Sequence, residues 1–202
     1  MRLSRLEKLC LALIIAIGVM FAVGANRADY KGPAFIPAPE QIMLSGLDNI
    51  VLSTKSGDIV LELVATYNIS AGVRGRKNYR GDALSSVSPM DLVLAWGDLN
   101  QPLMLKHVNY SQSGRWYHYR TDSNEVPVSH VARHSANTHI IPSDDAVLGI
   151  LKQIRPNHYV ELEGYLVNII LGDTTVRTSV SRDDTGGGAC EIFYVTQARV
   201  HR

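Results

Sequence analysis

The sequence predicts a mainly β protein of the α+β kind. The expected shape is a small, partly open antiparallel β-barrel with two short helices, plus one N-terminal transmembrane helix. Three observations predict it. From residue 47 onward, runs rich in Val, Ile, Thr and Tyr alternate with turn residues. Only two later segments carry helix start and stop signals. Residues 9–25 read LCLALIIAIGVMFAVGA, 17 apolar or small residues without a charge.

This apolar run organises the chain. As a helix it would cover roughly 25 Å, close to a hydrocarbon core of ~30 Å. Arg2, Arg5 and Lys8 precede it, so the N-terminus is expected in the cytoplasm and the rest across the membrane. The run is longer than the apolar region of most signal peptides, which favours an uncleaved anchor over a cleaved signal. Three segments follow: an anchor over residues 1–25, a Pro-rich spacer over 26–45, and an extracytoplasmic β-rich domain over 46–202. Pro33, Pro37 and Pro39 stiffen the spacer, whose end is expected to join the domain.

Within the domain, residues 49–54 and 58–67 read as strands around Lys55-Ser56-Gly57-Asp58. Residues 70–87, rich in Gly, Ser and Arg, read as a long loop. Ser88-Pro89-Met90-Asp91 has the form of a helix start, with Leu92, Val93 and Trp96 on one face and Gly97 ending it. Residues 103–110 and 115–120 suggest a hairpin around Ser111-Gln112-Ser113-Gly114. The second helix spans 143–154, capped by Ser143, striped by Val147, Leu148, Leu151 and Ile154, and stopped by Pro156. Strands over 159–171, 174–181 and 190–200 complete the domain.

Composition narrows the function. Of 202 residues, 46% are hydrophobic and 19% charged, which excludes a disordered polyelectrolyte. The net charge of +1 excludes an ordinary nucleic-acid binder. Two cysteines exclude a disulfide scaffold and a four-cysteine zinc module. Beyond residue 25 only Cys190 remains.

Several constellations carry possible chemistry. His130 and His134 are spaced i, i+4, with His139 beyond, but Val131 stands where a metalloprotease has Glu, so no metal and no cofactor is expected. Cys190 is a candidate nucleophile with His134 or His139 as base and Arg199 as cation, because a thiolate needs a base or a positive neighbour. Asp183, Asp184 and Gly186 to Gly188 read as a hairpin loop, and Arg74, Arg76, Lys77 and Arg80 as a solvated basic stretch. Arg115-Trp116-Tyr117-His118-Tyr119 alternates so that one set can line a groove, which makes Arg115, Trp116 and Tyr117 candidate binding residues.

Four stretches together resemble a group of uncharacterised bacterial membrane-anchored proteins. They are Ser88-Pro89-x-Asp91-Leu92 with Ala95-Trp96-Gly97, Gln112 to Tyr117, His134-Ser135-Ala136-Asn137-Thr138-His139-Ile140-Ile141-Pro142, and Asp184-Thr185-Gly186-x-Gly188-Ala189-Cys190-Glu191. The resemblance implies a bacterial envelope setting, and Asn137 within it joins the candidate binding residues. The order His, Cys, Arg behind a membrane tether is also similar to sortases, although Gly-Gly-Gly-Ala precedes Cys190 where sortases carry Thr-Leu-x-Thr. The expectation is a single-pass inner-membrane protein whose β-domain binds an envelope protein partner outside the cytoplasm. The alternative is a Cys/His thiol hydrolase or sortase-like transpeptidase.

Overall fold

The computed structural model describes residues 30–201, apart from residues 47, 55, 56, 83, 185 and 187. The predicted anchor over residues 1–25 lies outside the described residues. No helix among the described residues is long and apolar enough to cross a membrane.

The fold is mostly β. Short strands β1 (Glu40–Met43) and β2 (Asn49–Thr54) lead into the 22-residue β3 (Gly57–Asn78). Then come β4 (Met90–Ala95), helix α1 (Pro102–His107), the hairpin β5 (Val108–Ser113) and β6 (Trp116–Thr121), and helix α2 (Val128–His134). The chain ends with β7 (Ser135–Pro142), helix α3 (Asp145–Leu151), β8 (Tyr159–Leu171), β9 (Thr174–Val176) and β10 (Glu191–His201).

The main sheet closes in a ring. Its path runs β3-β4-β7-β10-β8, and β8 pairs back onto β3. β7 and β10 are parallel, which corrects the all-antiparallel expectation; the other pairs are antiparallel. β3 is long enough to carry β2 and β1 along its first part and β4 along its second, while β8 follows its other edge. Register shifts at Leu63/Ala65 and Val73/Gly75 bend β3 so that it can serve both roles.

Alternation sorts the side chains. One face of the ring buries Tyr67, Leu92, Leu94, Trp96, Ile140, Leu166 and Phe193 in one cluster, which α3 closes with Val147 and Leu151. Tyr67 and Phe193 meet edge-on at 5.0 Å between ring centroids, a favoured aromatic geometry. The opposite face carries Asp91, Val93 and Ala95 on β4 and Asn137 and His139 on β7. A second cluster around Ala95, Leu99, Val126 and Val131 packs the β5–β6 hairpin, through Val108 and Tyr119, over that face.

Several local expectations are corrected. Residues 90–95 form β4 and not a helix. Every residue of β4 is buried, and a strand covered on both faces reads as a continuous apolar run that periodicity alone does not separate from a helix. The expectation of two short helices in the domain gives way to three among the described residues. Pro102 sits at the start of α1, so residues 102–107 are helical and the strand begins at Val108. β3 continues through Asn78 into the segment expected to be a loop. The strand expected over 174–181 is confined to Thr174–Val176. In α3 the cap is Asp144, which accepts from the Val147 amide at 2.8 Å, one residue beyond the expected Ser143. The Pro-rich segment joins the domain early: Ile36 is buried and exchanges backbone hydrogen bonds with Gly97 at 3.0 and 2.8 Å.

Candidate active site

The site forms where β4, β7 and the start of β10 lie side by side under the β5–β6 hairpin. Asp91 and His139 are direct cross-strand partners. On β10, Ile192 pairs with His139 and Glu191 with Thr138, which brings Cys190 beside Asn137. Residues one pleat apart point to the same side, so Asp91, Asn137, His139 and Cys190 converge.

Asp91 is fully buried and serves as the hub. Arg115 donates from Nη1 to its Oδ1 at 2.9 Å, and His139 Nδ1 lies 2.9 Å from the same oxygen. The Asn137 amide donates to Oδ2 at 3.3 Å. The His139–Asp91 contact is close, but the ring N–H is not aimed along it. Burial pulls the His139 imidazole down, but the adjoining Asp91 carboxylate, with Cys190 beside it, outweighs this and raises the group to about 9. With Nδ1 against the carboxylate, Nε2 is the nitrogen left for a second partner.

Cys190 is a free, half-buried cysteine. Its Sγ lies 3.8 Å from Asn137 Nδ2 and 3.9 Å from the Arg115 carbonyl. Gln112 holds the Asn137 side chain by donating to its Oδ1 at 2.9 Å. Arg115 fastens the hairpin over this network. Its guanidinium donates to both oxygens of Asp82 at 3.0 and 2.8 Å and to the Ser88 carbonyl at 2.9 Å. It also stacks on Tyr79, 3.8 Å from the ring centroid.

A cavity of about 420 Å³ opens beside the sulfur. Trp96, Trp116 and Tyr117 supply aromatic wall, Ala132 and Ala136 apolar wall, and Arg182, Asp184 and Glu191 charge. Trp116 is half-exposed at its rim, and the Tyr117 hydroxyl donates to the Ser135 carbonyl at 3.0 Å. Glu191 is buried and pairs with Arg182 at 2.8 Å. Burial pushes the Glu191 carboxyl up to about 7, with Arg182 acting in the opposite direction.

The structure therefore brings together Cys190, His139, Arg115, Trp116, Tyr117 and Asn137 from the predicted set. It does not bring in two others. His134 turns its Nδ1 to the His130 carbonyl at 2.9 Å and stacks on the His130 ring at 4.3 Å. Arg199 lies far along β10, exposed and paired with Glu161 at 3.0 Å, so it cannot serve as the cation beside Cys190. The i, i+4 histidines do share a face of α2, but His130 is engaged with Asp98 at 2.6 Å. Among the described residues, no group of three metal-ligating side chains could hold a metal ion. Asp91, Gln112 and Glu191 were not singled out by the sequence as site residues. The signal for Asp91 was available only if β4 was read as a strand, because alternation then aligns it with Val93 and Ala95.

No family model matches this chain, and neither the curated proteins nor the solved structures contain a match.

Proposed function

We propose that the chain is a thiol-dependent acyl-transfer enzyme of the hydrolase or transpeptidase class, with Cys190 as nucleophile, His139 as general base and acid, and Asp91 as the group that orients the imidazole. The observation that carries this reading is the convergence of these three side chains, with the sulfur at the mouth of a ligand-sized cavity. In this reading the closed sheet is a small barrel whose outer face bears the triad. The apolar N-terminal run tethers it to the inner membrane, with the domain facing the envelope.

The chemistry follows from the geometry. His139 in its neutral form takes the Cys190 proton, and the sulfur attacks a substrate carbonyl carbon to form a C–S bond. The imidazolium gives its proton to the departing amine or alcohol as that bond breaks. Water or an acceptor amine then attacks the thioester with His139 again as base, and the thiol is restored. The buried Asp91 favours the charged imidazole in each half-reaction. Triad contacts are often poorly aligned without substrate, which accords with the off-axis His139 N–H.

Acylation by p-nitrophenyl acetate tests the proposal. The full chain carrying Cys10→Ser should release a stoichiometric burst of p-nitrophenolate and carry one acetyl group on Cys190. Cys190→Ala should abolish the burst, and His139→Gln should slow it by about 10²-fold or more. Acetylation of Cys190 no faster than that of free cysteine would overturn it. The second reading is an envelope binding module that uses the same cavity without turnover. The aromatic wall favours it, and in that case a ligand would protect Cys190 that is never acylated.

A further inference from the structure

We propose that Glu191 is the specificity-determining residue of the cavity and that it selects substrates presenting a cationic amine beside the reacting carbonyl. The inference deepens the acyl-transfer reading and rests on it only for the word substrate, because the recognition itself needs no reaction.

Glu191 adjoins Cys190 in sequence but points to the other side of β10. Both residues nevertheless line the cavity, because it sits at the end of the ring where β10 begins. Only 2% of Glu191 is exposed. Its Oε1 accepts from Arg182 at 2.8 Å, whereas its Oε2 is buried without a hydrogen-bond partner. Buried polar atoms are nearly always paired, so an unpaired carboxylate oxygen on a cavity wall calls for a donor from outside the protein.

The surroundings specify the donor. Among the described residues that line the cavity, Glu191 and Asp184 stand against Arg182, with His118 the other basic side chain on the wall. Arg182 is already engaged by Glu191, by the Tyr67 hydroxyl at 3.2 Å and by Gln41 at 3.1 Å. Its guanidinium also lies 5.6 Å from the Trp96 ring, so it is held against the wall. Trp116 and Tyr117 offer further aromatic faces, which attract cations. A wall with a spare carboxylate oxygen and aromatic faces suits an ammonium group better than a carboxylate or phosphate.

Charge-selective labelling of Cys190 tests this in the full chain with Cys10→Ser. Three thiol reagents serve as probes: cationic 2-aminoethyl methanethiosulfonate, anionic 2-sulfonatoethyl methanethiosulfonate, and neutral iodoacetamide. Relative to free cysteine, the cationic probe should react at least about tenfold faster than the anionic one. Glu191→Gln should remove most of that preference, read as the ratio of the cationic to the anionic rate, each divided by the iodoacetamide rate of the same variant. An unchanged preference in Glu191→Gln overturns the proposal. A measurement on unaltered Glu191 stands beside it, should that variant fail to fold. Millimolar butylammonium should slow iodoacetamide labelling of Cys190 and butyrate should not; equal protection or none overturns the proposal. Any accessible thiol reacts with these probes, so a Cys190 that never turns over substrate would still report the selectivity, and the two proposals fail separately.

Discussion

Asp91 and His139 stand directly opposite each other on β4 and β7, and the 2.9 Å contact between them is buried. The pairing holds the imidazole charged and fixes which ring nitrogen is left for Cys190. Asp91→Asn keeps the shape and removes the charge. The His139 imidazole should then titrate well below its present value of about 9, toward the ordinary 6.5, as followed by its ring-proton NMR shifts. The acetylation burst should fall by about 10²-fold or more. An unmoved His139 titration would show that Asp91 is not its partner.

Stability should decline as pH rises, in two windows. The folded His139 imidazole sits at about 9 against an unfolded 6.5, so its contribution is complete below about 6.5 and is lost as pH rises through about 9. The Glu191 carboxyl sits at about 7 against 4.5, so the folded state also binds its proton more tightly, and stability falls from about 4.5 to about 7. Each amounts to about 3 kcal/mol at most. Denaturant melts across this range should lose the upper slope in His139→Gln and the lower slope in Glu191→Gln.

Arg115 fastens the hairpin through a forked guanidinium that reaches Asp82, Ser88 and Asp91. Lysine keeps the charge but not the fork. Arg115→Lys should therefore cost about 2–4 kcal/mol and leave the buried Asp91 charge poorly matched. Hydrogen exchange should show amides of Val108–Thr121 losing protection before those of β3 and β8. Uniform loss throughout the ring would contradict this role.

Gly164 marks a close backbone approach. A Cβ there would lie 2.0 Å from the Tyr194 carbonyl oxygen, with φ at +156°. The obstruction is main chain in the β8–β10 ladder, so the neighbour cannot rotate away. Gly164→Ala should destabilise by about 2 kcal/mol or more, read from the denaturant midpoint at unchanged slope. Gly149→Ala, with nothing within 4 Å of its Cβ, is the matched control and should be neutral or stabilising.

Phe193 fills the ring between β7 and β8 and meets Tyr67 edge-on. Phe193→Ala should cost about 3–5 kcal/mol in a denaturant melt, through lost burial and the cavity it leaves. A cost below about 1 kcal/mol would mean that the ring interior collapses around the gap.

The sequence alone determined the mostly β character, a hairpin turning at Gly114, helix α3 and the prominence of Cys190. Each is written in local signals: alternation, Gly114 at a turn, early carboxylates before an apolar stripe, and one cysteine beyond the N-terminal run. Tertiary structure alone decided that residues 90–95 are a strand, because their burial on both faces erases the period that separates strand from helix. That one difference hid Asp91, which reads as a helix-start carboxylate in the sequence and as a strand residue faces His139. Tertiary structure also chose His139 over His134 and removed Arg199. The choice depends on which strands lie side by side, and the parallel pairing of β7 with β10 is set by packing across the whole ring, which no local run of residues records.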